Sequence, residues 1–168
     1  MSLLDDAILG LDKAIRASTG NVGSSVRVSP AKTIVAPELT QSDRQLAGRL
    51  MRVNHCGEVC AQALYHGQAL TARSGRVTNA MLKAAEEETD HLVWCEERLK
   101  ELDANVSHLN PIWYAASFAM GAATGLLGDK VNLGFVAATE EQECKHLDEH
   151  LDKLPEQDSK SRQILEAM

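Results

Sequence analysis

Residues 86–95 read EEETDHLVWC, and they lie in a stretch from about 77 to 102 that contains no Gly or Pro. Apolar and small residues recur through this stretch every three or four positions, which places them on one face of an α-helix. Glu88 and His91 fall on that face. The full set is Met81, Ala84, Glu88, His91, Cys95, Leu99 and Leu102. We therefore expect Glu88 and His91 to point into the protein. We expect most of the other acids, Glu86, Glu87, Asp90, Glu96 and Glu97, to lie to the sides of the helix or toward solvent.

Two more predicted helices carry a carboxylate on an apolar face. In a helix from Ser42, its predicted N-cap, to about Arg73, Glu58 lies in line with Ala47, Met51 and Tyr65. A third helix is predicted to open at Pro111 and to run to about Leu154, with a kink or break near Gly128. Its predicted buried stripe contains Glu140 as the one charged member: Leu133, Ala137, Glu140, Cys144, Leu147, Leu151 and Leu154.

The helical patterns predict an all-α protein, a four-helix bundle over residues 42–168. The fourth pattern starts at Asp158 or Ser161 and spans about two turns before Met168, so we expect a bundle helix that is cut short. Residues 1–41 form the other predicted unit. It contains a short amphipathic helix over 3–16 and a connector rich in Gly, Ser, Thr and Pro.

Composition limits the functional classes. A net charge of −7 argues against nucleic acid as a partner, because a phosphate-binding face needs clustered Lys and Arg. The acidic N-terminus does not resemble a secretory signal. Four cysteines form no Cys-x-x-Cys pair and are interpreted as reduced thiols.

Three inward carboxylates and one inward His on consecutive helices favour a metal centre. An ionised carboxylate in an apolar core is very unfavourable unless it is paired or bound to a cation, and like charges left bare would repel. Bundles that hold two irons use Glu-x-x-His motifs of this kind. Such donors suit iron or manganese better than zinc or copper. A structural role for the hydrogen-bonded carboxyls remains the alternative, and spacing does not separate an oxygenase from an iron store or a peroxidase.

The run from Ile112 to Gly128 has 17 residues without a charge. A membrane-spanning helix needs about 20, so a span is not the favoured interpretation. Two others stay open: a buried bundle helix that packs closely through Gly121 and Gly125, or a helix that lies against a bilayer and admits a lipid tail.

Four stretches resemble one known family, the demethoxyubiquinone hydroxylases, which are ferritin-like di-iron monooxygenases of ubiquinone biosynthesis. They are RVNHCGE at 52–58, EETDH at 87–91, NPIWYAASFAMGAATGLLGDK at 110–130 and ATEEQ at 138–142. The resemblance covers about residues 42–168 and implies a ferritin-like four-helix bundle. Carried over by position, it implies the metal ligands Glu58, Glu88, His91 and Glu140.

The sequence departs from the family at one place, because the second Glu-x-x-His motif of the last bundle helix is not found before Met168. This predicts a fragment and leaves the activity of the 168-residue form in question. Glu143 and His146 also form a Glu-x-x-His, but they lie about 60° and 120° away from the Glu140 stripe. Glu143 is therefore not assigned as a ligand. His146 resembles a family His near the site and is expected to support it.

The resemblance implies an enzyme that uses two iron ions, O2 and an external reductant such as NADH to hydroxylate the ring of a demethoxy polyprenyl quinol. It implies contact with a membrane surface and with other ubiquinone-biosynthesis proteins. The expected location is peripheral, on the cytoplasmic face of the cell membrane, or on the inner face of the mitochondrial inner membrane in a eukaryote. The alternatives are a non-catalytic iron-handling bundle and a peripheral membrane scaffold that binds quinone.

Overall fold

The computed structural model describes Asp12, Ile15, Arg16 and residues 25–168. Residues 25–168 contain five helices and no strand. They are α1 (Gln41–Thr71), α2 (Gly75–Glu101), α3 (Asn110–Leu126), α4 (Asp129–Lys153) and α5 (Ser159–Ala167). The prediction of an all-α, ferritin-like bundle is confirmed. The predicted helix over 3–16 lies mostly outside the described residues; the three described within it are helical, and Arg16 Nε donates to Asp12 at 2.7 Å.

Local hydrogen bonds fix the helix ends. Thr40, rather than the predicted Ser42, caps α1, because its hydroxyl accepts from the backbone N–H of Asp43. Ser74 caps α2 in the same way, and Asp158 caps α5 by accepting from the N–H of Ser161 at 3.0 Å. Pro111 lies in the first turn of α3, as predicted.

The predicted break near Gly128 is confirmed and separates α3 from α4. Gly128 has a φ of 110°, which a residue with a Cβ rarely adopts. The Asp129 carboxylate then accepts from the backbone N–H groups of Arg73 and Ser74 at 2.8 and 3.0 Å. The turn between α3 and α4 is therefore held against the turn between α1 and α2.

Helix α3 packs against α1 at backbone distance. A Cβ added to Gly121 would lie 2.1 Å from the carbonyl oxygen of Leu64, and one added to Gly125 would lie 2.0 Å from Oγ1 of Thr71. The Thr71 hydroxyl also donates to the carbonyl of Ala122 at 2.9 Å. The predicted close packing through both glycines is therefore present, and it turns the larger side chains of α3 to the other side.

The largest apolar cluster lies between α1, α2 and the ends of α4 and α5. Its buried members include Met51, Trp94, Leu99, Leu154 and Ile164. An ion pair holds α5 beside α2, because Arg98 donates to Asp158 at 2.7 Å and to the Ser161 hydroxyl at 2.9 Å. This core continues along α1 and α2 from Glu58, Glu88 and His91, which the sequence singled out.

The buried stripe predicted for α4 is wrong in its first half. Leu133 is 43% exposed, and Ala137, Glu140 and Cys144 are also exposed. Asn132 is buried instead, because its amide and backbone exchange hydrogen bonds with Gln68 at 3.2 and 3.4 Å. The stripe was chosen by apolarity, whereas polar pairing sets the orientation of this helix.

Two acids of α2 that were expected to face solvent are buried. Asp90 is 5% exposed because residues 26 and 27 cover it, and Glu96 is 6% exposed because it faces His55, whose Nε2 lies 3.5 Å from its carboxylate. Glu86 and Glu87 are exposed, as predicted. The local spacing did not reveal these two long-range partners.

Candidate metal centre

Three of the four predicted ligands converge between α1 and α2. Nδ1 of His91 lies 3.0 Å from the Glu88 carboxylate and 3.3 Å from that of Glu58. One ligand atom from each residue lies within 4.8 Å of the other two. Glu88 and His91 meet because residues three apart share a helix face. Glu58 faces them because the same side of α1 also buries Met51 and Tyr65, as the sequence predicted.

The two carboxyls share one buried, charge-poor environment. Glu58 is 1% exposed and Glu88 is 7% exposed. Burial and the neighbouring Glu88 raise the pKa of the Glu58 carboxyl well above its usual range. Burial also opposes ionisation of Glu88, but hydrogen bonds from His91 and Glu58 outweigh it and lower the pKa of that carboxyl. Without a cation, therefore, burial and the neighbouring Glu88 disfavour the ionised form of Glu58.

Helix α4 lies on the other side of the site. There the positions of Glu140 and Glu143 differ from those expected from the sequence. Glu140 lies outside the cluster of three, with an exposed side chain that accepts a hydrogen bond from the Tyr65 hydroxyl. Glu143, which was not assigned, lines the same cavity as Glu58, and burial and the nearby Glu88 raise its pKa. The signal was present in the sequence, since Glu143-x-x-His146 repeats the pattern of Glu88-x-x-His91. Glu140 as a ligand and His146 as a supporting residue remain predictions.

A cavity of about 340 Å³ leads to Glu58 from between α1, α3 and α4. Apolar side chains form much of its wall, among them Leu64, Met120, Phe135 and Leu147. Its polar lining includes Tyr65, Ser117, Gln142, Glu143 and His146. An apolar chamber with a few convergent polar groups is typical of a small-molecule site.

Cys60 also lines this cavity, one helical turn from Cys56 on α1. Hydrogen bonds from the Cys56 thiol and from Ser117 lower the pKa of the Cys60 thiol to about 6. All four cysteines are free thiols, in agreement with the sequence prediction.

The side of His91 that faces away from the carboxylates is covered by the connector. Arg27 Nη2 lies 3.1 Å from His91 Nε2, and Arg27 Nε donates to Asp90 at 2.8 Å. The guanidinium also lies over the Trp94 ring, 4.8 Å from its centroid. No spacing argument could find Arg27, because it lies 64 residues from His91 in an irregular segment.

A second polar group extends from the cavity into the bundle. His146 stacks on His150 with ring centroids 4.0 Å apart, and His150 Nδ1 donates to the Asn54 side chain at 2.7 Å. Burial, with smaller effects of His146 and Lys153, lowers the pKa of His150 to about 4. This group therefore stays neutral at physiological pH and can hold His146 in place at the cavity wall.

The donor set fits a divalent metal. Two carboxylates and one imidazole nitrogen are brought within bonding reach of a common point, and such ligands suit iron or manganese. A bound cation would offset the burial that raises the pKa of Glu58. On α4, Glu140 accepts a hydrogen bond from Tyr65, and Glu143 lines the same cavity as Glu58.

The outward face of α3 and the turn after it is apolar. Its exposed members include Ile112, Trp113, Met120, Leu126 and Leu127, each between 46% and 70% exposed. Among the described helices, none combines the length and apolarity needed to cross a bilayer. The buried residues of α3 are Asn110, Tyr114, Gly121 and Gly125, so the helix is not buried on all sides, and its contact with a bilayer stays a prediction.

Comparison with known proteins supplies the family. The model of the ubiquinone biosynthesis protein COQ7 family matches residues 45–168. The chain belongs to this family. It is 57% identical over 170 residues to the 3-demethoxyubiquinol 3-hydroxylase of Pseudomonas fluorescens strain Pf-5, covering 99% of this chain and 78% of that protein. It is 52% identical over 168 residues to the protein of that name from Nitrosococcus oceani, covering 100% of this chain and 78% of that one. No solved structure gives a significant match.

Proposed function

We propose that this COQ7-family chain is a hydroxylase of ubiquinone biosynthesis that adds oxygen to the ring of a demethoxy polyprenyl quinol. Family membership and the printed names of its relatives support the reaction class. The observation that carries the proposal is the convergence of Glu58, Glu88 and His91 beside a cavity large enough for a substituted ring.

The cofactor in this proposal is a pair of iron ions. When bound, iron supplies the redox chemistry of O2, so that one oxygen atom enters the ring and the other leaves as water, with two electrons from a reductant such as NADH or from the quinol. Glu58, Glu88 and His91 would hold iron. Glu140 and Glu143 extend the carboxylate set on the α4 side.

The residues around the cavity would bind and orient the ring. Leu64 and Phe135 offer apolar surface to the ring inside the cavity. His146 and Gln142 lie among the lining groups and can hydrogen-bond ring oxygens. Asn54 and His150 would keep His146 in position through the contacts described above.

The outer face of α3 suits a membrane surface. Met120 lines the cavity and is also 53% exposed beside the apolar face, so a prenyl chain can pass from one to the other. Exposed Trp and aliphatic side chains on one helix face are typical of a segment that lies in the interface of a bilayer. We place the protein at the cytoplasmic face of the cell membrane as a peripheral protein, where other ubiquinone-biosynthesis proteins could also bind it.

The reaction is tested by product analysis. The protein is loaded with Fe²⁺ without oxygen and then given a demethoxyquinol, reductant and ¹⁸O2, with Glu88→Gln as the ligand variant and Glu87→Gln as its control. One ¹⁸O atom in the ring, present in wild type and Glu87→Gln and absent in Glu88→Gln, is expected. Iron binding and oxidation without ring oxygenation would contradict the hydroxylase and support an iron-handling bundle; no iron binding would support a quinone-binding scaffold.

The membrane contact is tested by flotation with vesicles that contain a long-chain quinone. Trp113→Ser together with Leu126→Ser should reduce the bound fraction. Leu70→Ser is the matched control, because Leu70 is 69% exposed but lies on α1. Equal binding of all three proteins would show that α3 does not contact the bilayer.

A further inference from the structure

We propose that Arg27 and the metal compete for His91, so that residues 25–28, the Arg27 clasp, dock on α2 less tightly when metal is bound. This inference rests on the proposed metal centre at Glu58, Glu88 and His91. The contact lies at the outer nitrogen of His91, on the side away from the metal, and involves a segment that reaches α2 from outside the helical bundle.

The clasp is held to α2 by several contacts on one side of His91. Asp90 accepts from the backbone N–H groups of Val26 and Arg27, at 2.7 Å for the first, and from the Arg27 side chain. Trp94 returns a hydrogen bond from Nε1 to the carbonyl of Arg27 at 3.2 Å. The hydrogen bonds of the Asp90 carboxylate outweigh its burial and lower its pKa. Arg27 is thus fixed beside the His91 ring from both its backbone and its side chain.

The hydrogen-bonding chemistry of the two side chains creates the competition. A guanidinium only donates, so Nε2 of His91 must accept from Arg27 at 3.1 Å. The proton of the neutral ring then lies on Nδ1, between the carboxylates of Glu58 and Glu88. A metal bound at Nδ1 needs that nitrogen unprotonated, which moves the proton to Nε2. Two donors would then face each other across the present contact.

Charge acts in the same direction. The guanidinium is always positive, and it lies on the far side of the imidazole ring from the carboxylates, where it repels a divalent cation. Metal-bound His residues usually donate their other N–H to a carboxylate, a carbonyl or water, and changing that partner alters metal affinity by about 10–100-fold. Arg27 is therefore a positioning residue that favours the metal-free tautomer of His91.

Three variants test the competition. Arg27→Gln removes the charge and offers an oxygen that can accept from Nε2, so Fe²⁺ should bind about 10-fold more tightly. Arg27→Lys keeps a charged donor-only group and should bind as wild type does. Arg44→Gln is the matched control, because it removes an Arg in an exposed pair with Asp103, about 21 Å along α1 from Glu58. Affinities are measured by anaerobic titration calorimetry with Fe²⁺ alone.

The clasp itself supplies a readout that is independent of activity. Because coupling is reciprocal, saturating Fe²⁺ should speed hydrogen exchange at the amides of Val26 and Arg27 by about the same 10-fold. Trp113→Phe leaves Trp94 as the one Trp in the sequence, so its emission should change as Arg27 leaves its ring. Both responses should be absent in Glu88→Gln.

The outcomes separate this inference from the proposed function. If wild type binds Fe²⁺ and Glu88→Gln does not, but Arg27→Gln binds as Arg44→Gln does and the clasp amides exchange at unchanged rates, the competition is wrong and the metal centre stands. If wild type fails to bind Fe²⁺, or Glu88→Gln binds it equally well, the centre is wrong and the competition falls with it.

Discussion

Helices α2 and α4 are of similar length and both carry Glu-x-x-His, yet they differ in how many of their charged side chains are buried. Helix α2 buries Glu88, Asp90, Glu96 and Arg98. Helix α4 buries only Asn132, Leu147 and His150, and its other polar residues include exposed pairs such as Lys145 with Glu141. Composition is therefore a poor guide to burial in this chain, because Asp90, Glu96 and Arg98 of α2 each pair with a residue of another segment.

The same contrast divides the candidate metal centre. Glu58, Glu88 and His91 are fixed on two helices that pack over much of their lengths, so their ligand atoms are already grouped. Glu140 and Glu143 lie on the more exposed helix, where Glu140 accepts a hydrogen bond from Tyr65 and Glu143 lines the same cavity as Glu58. We interpret α1 and α2 as the preformed wall of the site and α4 as the adjustable one. Four experiments test this distinction between the two walls.

The largest expected effect is on stability and compares a buried ion pair with an exposed one. Arg98→Met leaves Asp158, which is fully buried, without its cation and should lower the free energy of unfolding by about 3–5 kcal/mol. Lys145→Met breaks an exposed pair on α4 and should cost about 0.5 kcal/mol or less. Urea unfolding followed by circular dichroism measures both. Similar costs would show that burial does not distinguish the two helices.

The second effect is on metal affinity. Glu88→Gln should weaken Fe²⁺ binding by more than about 100-fold, because losing a ligand costs more than losing the partner of one. Glu140→Gln should weaken it by about 10-fold, since that carboxylate lies outside the preformed group. Glu87→Gln, on the exposed face, serves as the control. If Glu140→Gln has the larger effect, α4 rather than α2 contributes more to metal affinity.

The third effect compares two glycines. Gly121→Ala places a methyl group against the backbone of α1 and should destabilise the protein by about 1–3 kcal/mol. A Cβ at Gly134 on α4 meets nothing within 4 Å, so Gly134→Ala should stabilise the protein by up to about 1 kcal/mol through helix propensity. Thermal unfolding gives both changes. A destabilising Gly134→Ala would mean that this face of α4 is covered in solution.

The smallest effect concerns His150, the one buried titratable ring of α4. Its folded pKa of about 4 lies below the usual value, so the unfolded chain takes up a proton first as pH falls. Stability from this residue is complete above about pH 6.5 and is lost between about pH 6.5 and 4. His150→Gln should remove about 1–2 kcal/mol of that pH dependence, allowing for screening by nearby solvent. Urea midpoints at pH 7.5 and 4.5 test this; an unchanged difference between them would assign the effect elsewhere.

The sequence by itself determined the features that depend on neighbouring residues. Helical periodicity turned Glu58, Glu88 and His91 inward, and the conformational freedom of Gly128 marked the break before α4. It also identified the small face of α3, because only Gly allows two helix backbones to approach as α1 and α3 do.

The tertiary structure alone decided which charges are buried and what holds them. Helical spacing predicted Asp90 to be a surface acid. In the structure it is buried, because the backbone N–H groups of residues 26 and 27 donate to it. Asn132 is polar but buried, because its side-chain N–H donates to Gln68 and its backbone carbonyl accepts from Gln68. Glu143 lies three helical turns further along the same side of α4 and lines the cavity. The physical reason is common to these cases: a polar group can be buried once its hydrogen bonds are met, and its partners lie more than 60 residues away, beyond the reach of any local pattern.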